Sequence, residues 1–431
     1  MVAGIDIGST EHWVCAPPKD DGAPNVRVFG TTTPELNELV DWLVAQGVVS
    51  AAIESTSVYW IPRYELLAAR GIAPVLVNAH QFHNVPGRPK TDCKDCQWLQ
   101  QLHSYGLLSG SFRPAEAITK LRALRRQMAN LVAERGRCIQ WMQKALDQMN
   151  VQVHRAVSDL NGKTGLAIVR AIVAGERDPV RLAAHRDPHC RKSVEQIARH
   201  LTGTWRVEHL FNLASALRCY DLLEAEIATY DARLIQELQA LQPPERQNLP
   251  VPRHPNPKKE RNIQGHGGAQ LRTELWRFAG VDLTRIDAIS AGVTQMVLTE
   301  TGIDLSAFAT EGHFVSWLRL CPRTAISGGK PLKKRRNALG SSRIAGALRM
   351  AALAVGRSKT ALGAYYRRIA RHKGGAVAVF ATARKLAVLV YRMLRYGQDY
   401  VDQGEAAYEA KFQAQRLAAL EKTAKNFGFK L

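Results

Sequence analysis

Two runs of apolar residues, spaced alternately three and four apart, constrain the fold of this chain more than any other feature. The first comprises Leu121, Leu124, Met128, Leu131, Cys138, Met142, Ala145 and Met149, with a break at Arg135. The second comprises Leu210, Leu213, Leu217, Tyr220, Ile227, Leu234, Leu238 and Leu241, interrupted at Glu224 and Asp231. Such spacing predicts two long helices whose apolar seams need partners, in a helical hairpin or an intermolecular coiled coil. The expectation adopted is that both helices protrude from the preceding domain and mediate dimerisation, with a plain intrachain pair as the alternative.

Upstream, short apolar runs alternate with helical patterns. Strands are expected at "VAGIDI" (2–7), "HWVCAP" (12–17), "NVRVFG" (25–30), "SAAIES" (50–55) and "APVLVN" (73–78), and helices at 33–47 and 62–71. Strands alternating with helices predict a mixed sheet covered by helices. The expected organisation is an α/β domain over 1–108, a coiled-coil region over 109–245, a linker over 246–269, a mainly helical domain over 270–400 and a helix or tail over 401–431. The proline and charge of "QPPERQNLPVPRHPNPKKERN" (242–262) suggest the linker, while 156–205 carries no clear pattern.

The charge balance points to a polyanionic partner. Lys and Arg number 59 against 38 Asp and Glu, a net charge of +21, and this excess suits nucleic acid better than a membrane surface. It is also concentrated: from Gly312 to Gln398 there is no acid at all and nineteen Lys and Arg. A surface of that kind binds phosphates. No apolar run is long enough to predict a transmembrane helix, "MVAGIDIGST" lacks the features of a signal peptide, and seven thinly spread cysteines read as reduced thiols of a cytosolic chain.

The segment "KTDCKDC" (90–96) interleaves two cysteines with two aspartates. On a helix over 91–107, Asp92 and Asp95 share the face of Leu99 and Leu102, so the acids continue the stripe that faces the core. A carboxylate there is costly unless it is paired or bound to a metal. Cys93 and Cys96 make at most half a zinc site, because a structural site needs four ligands; "HRDPHC" (185–190) is a weak candidate for the rest. Two further acids suit a strand-borne site, Asp6 in "GIDIG" and Glu54 ending "AAIE". Any one of these acids alone reads as a cap or a surface charge. Jointly, one on the first strand, one on a later strand and two on a following helix form the pattern of an RNase H-like nuclease. Its magnesium ions take hard oxygen ligands and stabilise both the attacking and the leaving oxygen at a phosphodiester. "DIGST" (6–10) also matches the first phosphate loop of actin-like kinases, but no second Asp-x-Gly loop follows a strand.

With these motifs the chain resembles the Piv-like, DEDD-type insertion-sequence transposases, a family of bridge-RNA-guided recombinases with a RuvC-like domain. The resemblance is carried by "GIDIG", "IESTSVYW" (53–60), "KTDCKD" (90–95), "WLRLCPRTAISGGK" (317–330), "RSKTALGAYYRRI" (357–369) and "ARKLAVLVYRML" (383–394). It implies an RNase H-like amino-terminal domain with Asp6, Glu54, Asp92 and Asp95 as a tetrad holding one or two Mg2+ ions, with Mn2+ as a substitute. It implies Ser327 as a nucleophile that becomes covalently joined to DNA, in a site completed between subunits. The implied partners are donor and target DNA, a structured bridge RNA, and further copies of the chain in dimers and tetramers. The implied location is the prokaryotic cytoplasm, at the nucleoid.

The chain departs from the family where Ser57 stands, often a Gly, and at "ISAG" (289–292), often Pro-Gly-Ile-Gly, which leaves Gly292 to supply the flexible position. Around Ser327, Gly328 and Gly329 allow close approach of a backbone to phosphate. Candidate nucleic-acid contacts are Arg323, Lys330, Lys333, Lys334, Arg335, Arg336, Arg343, Lys359, Arg367 and Arg368. Trp317, Tyr365 and Tyr366 are candidates to stack on bases, with core packing the stronger reading for Trp317. The alternative function is a junction-cleaving nuclease that uses activated water, and a more remote one is the kinase.

Overall fold

The computed structural model describes residues 1–18, 22–55, 57–78, 91–265, 268–321, 326–328, 330–331, 342–427 and 429. It divides into two compact units, Met1–Arg113 and Pro114–Leu431.

The first unit is built on five strands: β1 (Val2–Ile7), β2 (His12–Ala16), β3 (Asn25–Phe29), β4 (Ser50–Glu54) and β5 (Ala73–Val77). Their order is β3-β2-β1-β4-β5. The first three form an antiparallel meander, and β4 and β5 add to β1 in parallel. Side chains alternate between the two faces of such a sheet. Ala3, Ile5 and Ile7 join Ala51 and Ile53 in a core against α1 (Thr33–Ala45) and α2 (Trp60–Ala69). The other face carries Ala52 and Val77, which pack on Leu99 and Leu102 of α3 (Asp92–Ser104).

Gly4 sets how closely α3 approaches. A Cβ there would lie 2.3 Å from the Gln100 backbone nitrogen and 2.4 Å from the Cys96 carbonyl oxygen, so the helix backbone rests directly on β1. Only glycine leaves that space.

In the second unit, α4 (Glu116–Gln148) and α9 (Val207–Ala240) lie along one another. Ion pairs Lys120–Glu237 and Arg135–Glu224 fix them antiparallel. The seam residues are buried in two clusters, one around Leu121, Met128, Ile227, Leu234 and Leu238, the other around Cys138, Met142, Leu213, Leu217 and Tyr220. Both seams are therefore filled within a single chain, as in the hairpin alternative. The interruptions are matched too: Arg135 meets Glu224, and Asp231 lies in the field of Arg125.

Residues 156–205, unreadable as sequence, belong to a small helical cap. Helices α5 (Val153–Ala156), α6 (Lys163–Val173), α7 (Pro179–Ala184) and α8 (Val194–Ala198) bury Ile168, Ile172, Leu182 and Ile197 against one end of the hairpin. The expected linker is partly structured as well. It holds buried His254 and α10 (Pro257–Gly265), and Arg272 of α11 (Gly268–Ala279) donates to the Pro252 carbonyl and to Glu260. Beyond it follow α12 (Ala291–Thr301), α13 (Glu311–Trp317), the two-residue strands β6 (Ile326–Ser327) and β7 (Lys330–Pro331), and α14 (Arg343–Val355). The last three helices are α15 (Ala361–Lys373), α16 (Gly375–Tyr396) and α17 (Gly404–Asn426). The buried face of α16 includes Leu386, Val390 and Tyr391, whose hydroxyl donates to the Phe308 carbonyl at 2.7 Å. Among the described residues, no helix is long and apolar enough to cross a membrane.

Candidate active site

The sheet register brings the first two acids side by side. Ile5 of β1 pairs with Ile53 of the parallel strand β4, so Asp6 and Glu54 follow as neighbours on the face that α3 covers. Thr91 caps α3 through its hydroxyl, which accepts from the Lys94 backbone N–H at 3.3 Å. Asp92 and Asp95 therefore occupy the first turn, where the helix dipole favours negative charge. Asp95 is buried at 4% exposure, beside buried Cys96 and Leu99, while Asp92 is exposed. The expected core-facing stripe thus holds for Asp95 and opens to solvent at Asp92.

The acids influence one another strongly. Asp6 has its pKa raised to about 7, first by burial, then by the charges of Glu54, Asp95 and Asp92, and finally by a hydrogen bond with Glu54. Every one of these causes favours the protonated form. A cluster of carboxylate oxygens with that electrostatic cost matches the donor set of a hard divalent cation. Among the described residues, no three His, Cys, Asp or Glu side chains are gathered tightly enough to ligate one ion as they stand. The four acids are neighbours rather than a closed coordination shell.

The thiols beside them are kept protonated. Cys15 of β2 is raised to about 11, by burial and then by Cys93, and Cys96 is raised by burial, Cys15, Cys93 and Asp6. Among the described residues these thiols do not gather with other ligands into a zinc site. Cys190 of the "HRDPHC" segment instead meets the Thr164 hydroxyl at 3.6 Å. Cys15 had no sequence signal, because only the pairing of β2 with β1 brings it near α3.

The opposite face of the sheet holds a buried polar pair that pattern reading also missed. His12, fully buried, accepts from Arg63 of α2 at 2.9 Å. Burial and then the Arg63 charge lower its pKa to about 4, so it is neutral near neutral pH. Ser57, the departure beside Glu54, has φ of 49°, a left-handed conformation that costs a side-chain-bearing residue and suits glycine. The second departure resolves differently. The positive φ lies at Ala288, at 64°, whereas Gly292 sits within α12, whose amino end Ser290 caps. Gly292 is not the flexible position.

In the second unit, Ser327 pairs with Lys330 across the β6–β7 hairpin, and Gly328 in its turn has φ of 57°. The backbone thus forms a tight hairpin with the serine at the end of β6. Arg323, Lys333, Lys334, Arg335 and Arg336 lie outside the described residues. Arg343 opens α14 and is exposed, as is Lys359 between α14 and α15. Arg367 is engaged in the fold, donating to the carbonyls of Gly356 and Ser358 and pairing with Glu405. Arg368 donates to the Tyr408 hydroxyl at 2.9 Å and lies over three aromatic rings. Trp317 packs on Phe308 and Phe314, the core role expected of it. Tyr366 lies against Gly356.

Comparison with known proteins bears on both units. A family model for DEDD-type IS110 elements, described as "Transposase", matches residues 3–151. A second, "Transposase IS116/IS110/IS902 family", matches residues 281–367. No curated protein matches the chain. All four acids fall in the first match and Ser327 in the second, and together the matches cover more than half of the 431 residues. The chain belongs to the IS110-family DEDD transposases.

Proposed function

We propose that this transposase moves an insertion sequence by cutting and rejoining DNA through a phosphoserine link, guided by a structured bridge RNA. The observation that carries the reading is the mutual influence of the acids: Asp6, on the central strand, feels Glu54, Asp92 and Asp95 at once. The strand order β3-β2-β1-β4-β5, with α3 across one face, supports an RNase H-like, RuvC-like assignment for the first unit.

Asp6, Glu54, Asp92 and Asp95 would hold the divalent cation, Mg2+ or Mn2+, that supplies Lewis-acid activation at the phosphodiester. The remaining steps belong to the protein. The Ser327 oxygen bonds to phosphorus as the bond from phosphorus to one deoxyribose oxygen breaks, and that oxygen takes a proton as it leaves. A serine hydroxyl needs a base to give up its own proton. That proton would pass to water at the site, since acids that hold a cation stay ionised. Rejoining reverses the step, with a deoxyribose hydroxyl displacing the serine. The acids belong to one compact unit and the serine to the other, which fits a site completed between subunits of a dimer or tetramer.

The test is a denaturing gel after incubating the protein with Mg2+ and labelled element-end DNA plus its RNA. A covalent protein–DNA band is expected with the natural chain and none with Ser327→Ala. The separation of serine and acids between units also suits a nuclease using water. Cleavage that persists in Ser327→Ala without any covalent band would establish that reading instead. The family assignment leaves the kinase reading of "DIGST" without support.

A further inference from the structure

The last three helices enclose a cleft of about 590 Å3, within the range of small-ligand pockets. Tyr365 of α15 forms one wall, and Tyr408 and Phe412 of α17 form the other, with Tyr365 and Tyr408 edge to face at 6.4 Å. Positive charge gathers among these rings. The Arg368 guanidinium lies 4.2 Å from the Phe412 centroid, the Lys385 ammonium lies 4.6 Å from that of Tyr365, and Lys411 stands on the rim.

Both acids that line the cleft already have partners. Asp402 accepts from the Ala361 backbone N–H at 3.0 Å, and Asp399 pairs with Arg285 at 2.8 Å. Lys385 accordingly has its pKa lowered, by partial loss of hydration and then by the charges of Arg368 and Lys411. Cations crowded together pay a mutual repulsion that an anion relieves. Aromatic rings line the cleft beside them, and stacking with adjacent cations is how single strands are held.

We propose that this cleft binds one unpaired nucleotide of a nucleic-acid strand. Its phosphate lies against Lys385, Lys411 and Arg368, and its base lies against Tyr365 or Phe412. A smaller groove of about 340 Å3 adjoins it across Arg368, Tyr408 and Phe412, and its lining of Arg367, Arg371, His372 and Arg416 outweighs the single acid there, Glu409. It gives the next phosphate a cationic seat, so the strand runs between α15 and α17. A base held in a duplex cannot reach the rings, and the cleft therefore selects single-stranded segments. The proposal rests on the transposase reading only in that the chain must meet nucleic acid.

Fluorescence anisotropy with the full-length protein tests it, without divalent metal and with labelled oligo-dT, oligo-rU and a duplex of equal length. Tyr365→Ala and Phe412→Ala should each weaken single-strand binding by about 5- to 100-fold, the range of base–aromatic stacking. Duplex affinity should change less than twofold, and Tyr365→Phe should restore the loss. Lys385→Gln should make the salt dependence shallower by roughly 0.7 in logarithmic slope on single strands. The ratio of dT to rU affinity identifies whether DNA or RNA is preferred. Unchanged single-strand affinity in both alanine variants, with melting curves showing them folded, would overturn the proposal, as would an equal loss on duplex. These readouts involve no strand cleavage, so they stand or fall apart from the Ser327 adduct.

Discussion

In the second unit, buried acids are held by arginine. Asp282 takes two hydrogen bonds from Arg272, at 3.0 and 2.6 Å, and Glu300 is met by Arg122 and Arg126. In the first unit, Asp6 lies beside Glu54, Asp92 and Asp95, and each of them makes its ionisation harder. The first arrangement ties helices together and is complete as it stands. The second stores electrostatic repulsion on a rigid sheet, and repulsion of this kind marks sites built to meet a cation or a proton. The difference separates acids that hold the fold from the acids proposed to meet a cation.

Swapping the two kinds of acid gives the sharpest contrast. Asp6→Asn should lower DNA strand cleavage by about a thousandfold, since a metal site contributes several kcal/mol at the transition state. Its melting temperature should hold or rise, because a repelling charge is gone. In contrast, Arg272→Met strands Asp282 and should cost about 3–5 kcal/mol in urea unfolding. A stability loss in Asp6→Asn as large as that of Arg272→Met would erase the distinction between the units.

Gly4→Ala acts on the geometry instead of the charge. The added methyl meets helix backbone, so α3 must move off β1, at roughly 1–3 kcal/mol for an overpacked core. Cation affinity should fall with it, by calorimetry, since Asp92 and Asp95 travel with α3. Acid gives a further contrast, between the two faces of the sheet. His12 has a folded pKa near 4 against an ordinary 6.5, so the unfolded chain binds more protons between those values. Stability should therefore fall as pH drops from 6.5 towards 4. Equilibrium unfolding of His12→Gln should show a flatter dependence over that window. The smallest effect is local: Ser57→Gly relieves a left-handed residue and should stabilise the protein by about 1 kcal/mol, with the turn after Glu54 unchanged.

Much of the first unit was legible in the sequence, because its signals are local. All five expected strands are present, and "AAIE" and "GIDIG" deliver Glu54 and Asp6 to neighbouring strands. What sequence could not supply was company across the fold. Cys15 reaches α3 only through strand pairing, and His12 and Arg63 are 51 residues apart. The heptads announced their helices but not their partner, because apolar spacing is the same for a hairpin and a dimer. Arg135 and Glu224 read as defects singly and as a match together. Arg367 looked like a phosphate ligand, and only the fold shows its guanidinium held by Glu405 and two carbonyls. The cap over 156–205 was opaque because three of its four helices are short: α5, α7 and α8 span four, six and five residues, too few for periodicity to register.

The measurement closest to the centre is calorimetric titration of Mn2+ into the natural protein and into Asp6→Asn and Asp95→Asn, at a pH above 7. Saturable binding that weakens at least about tenfold in both variants, with Asp282→Asn behaving like the natural chain, is the expected result, since each carboxylate lost removes a hard oxygen donor. Equal Mn2+ affinity in all four proteins would contradict the assignment of the amino-terminal acids as the cation site.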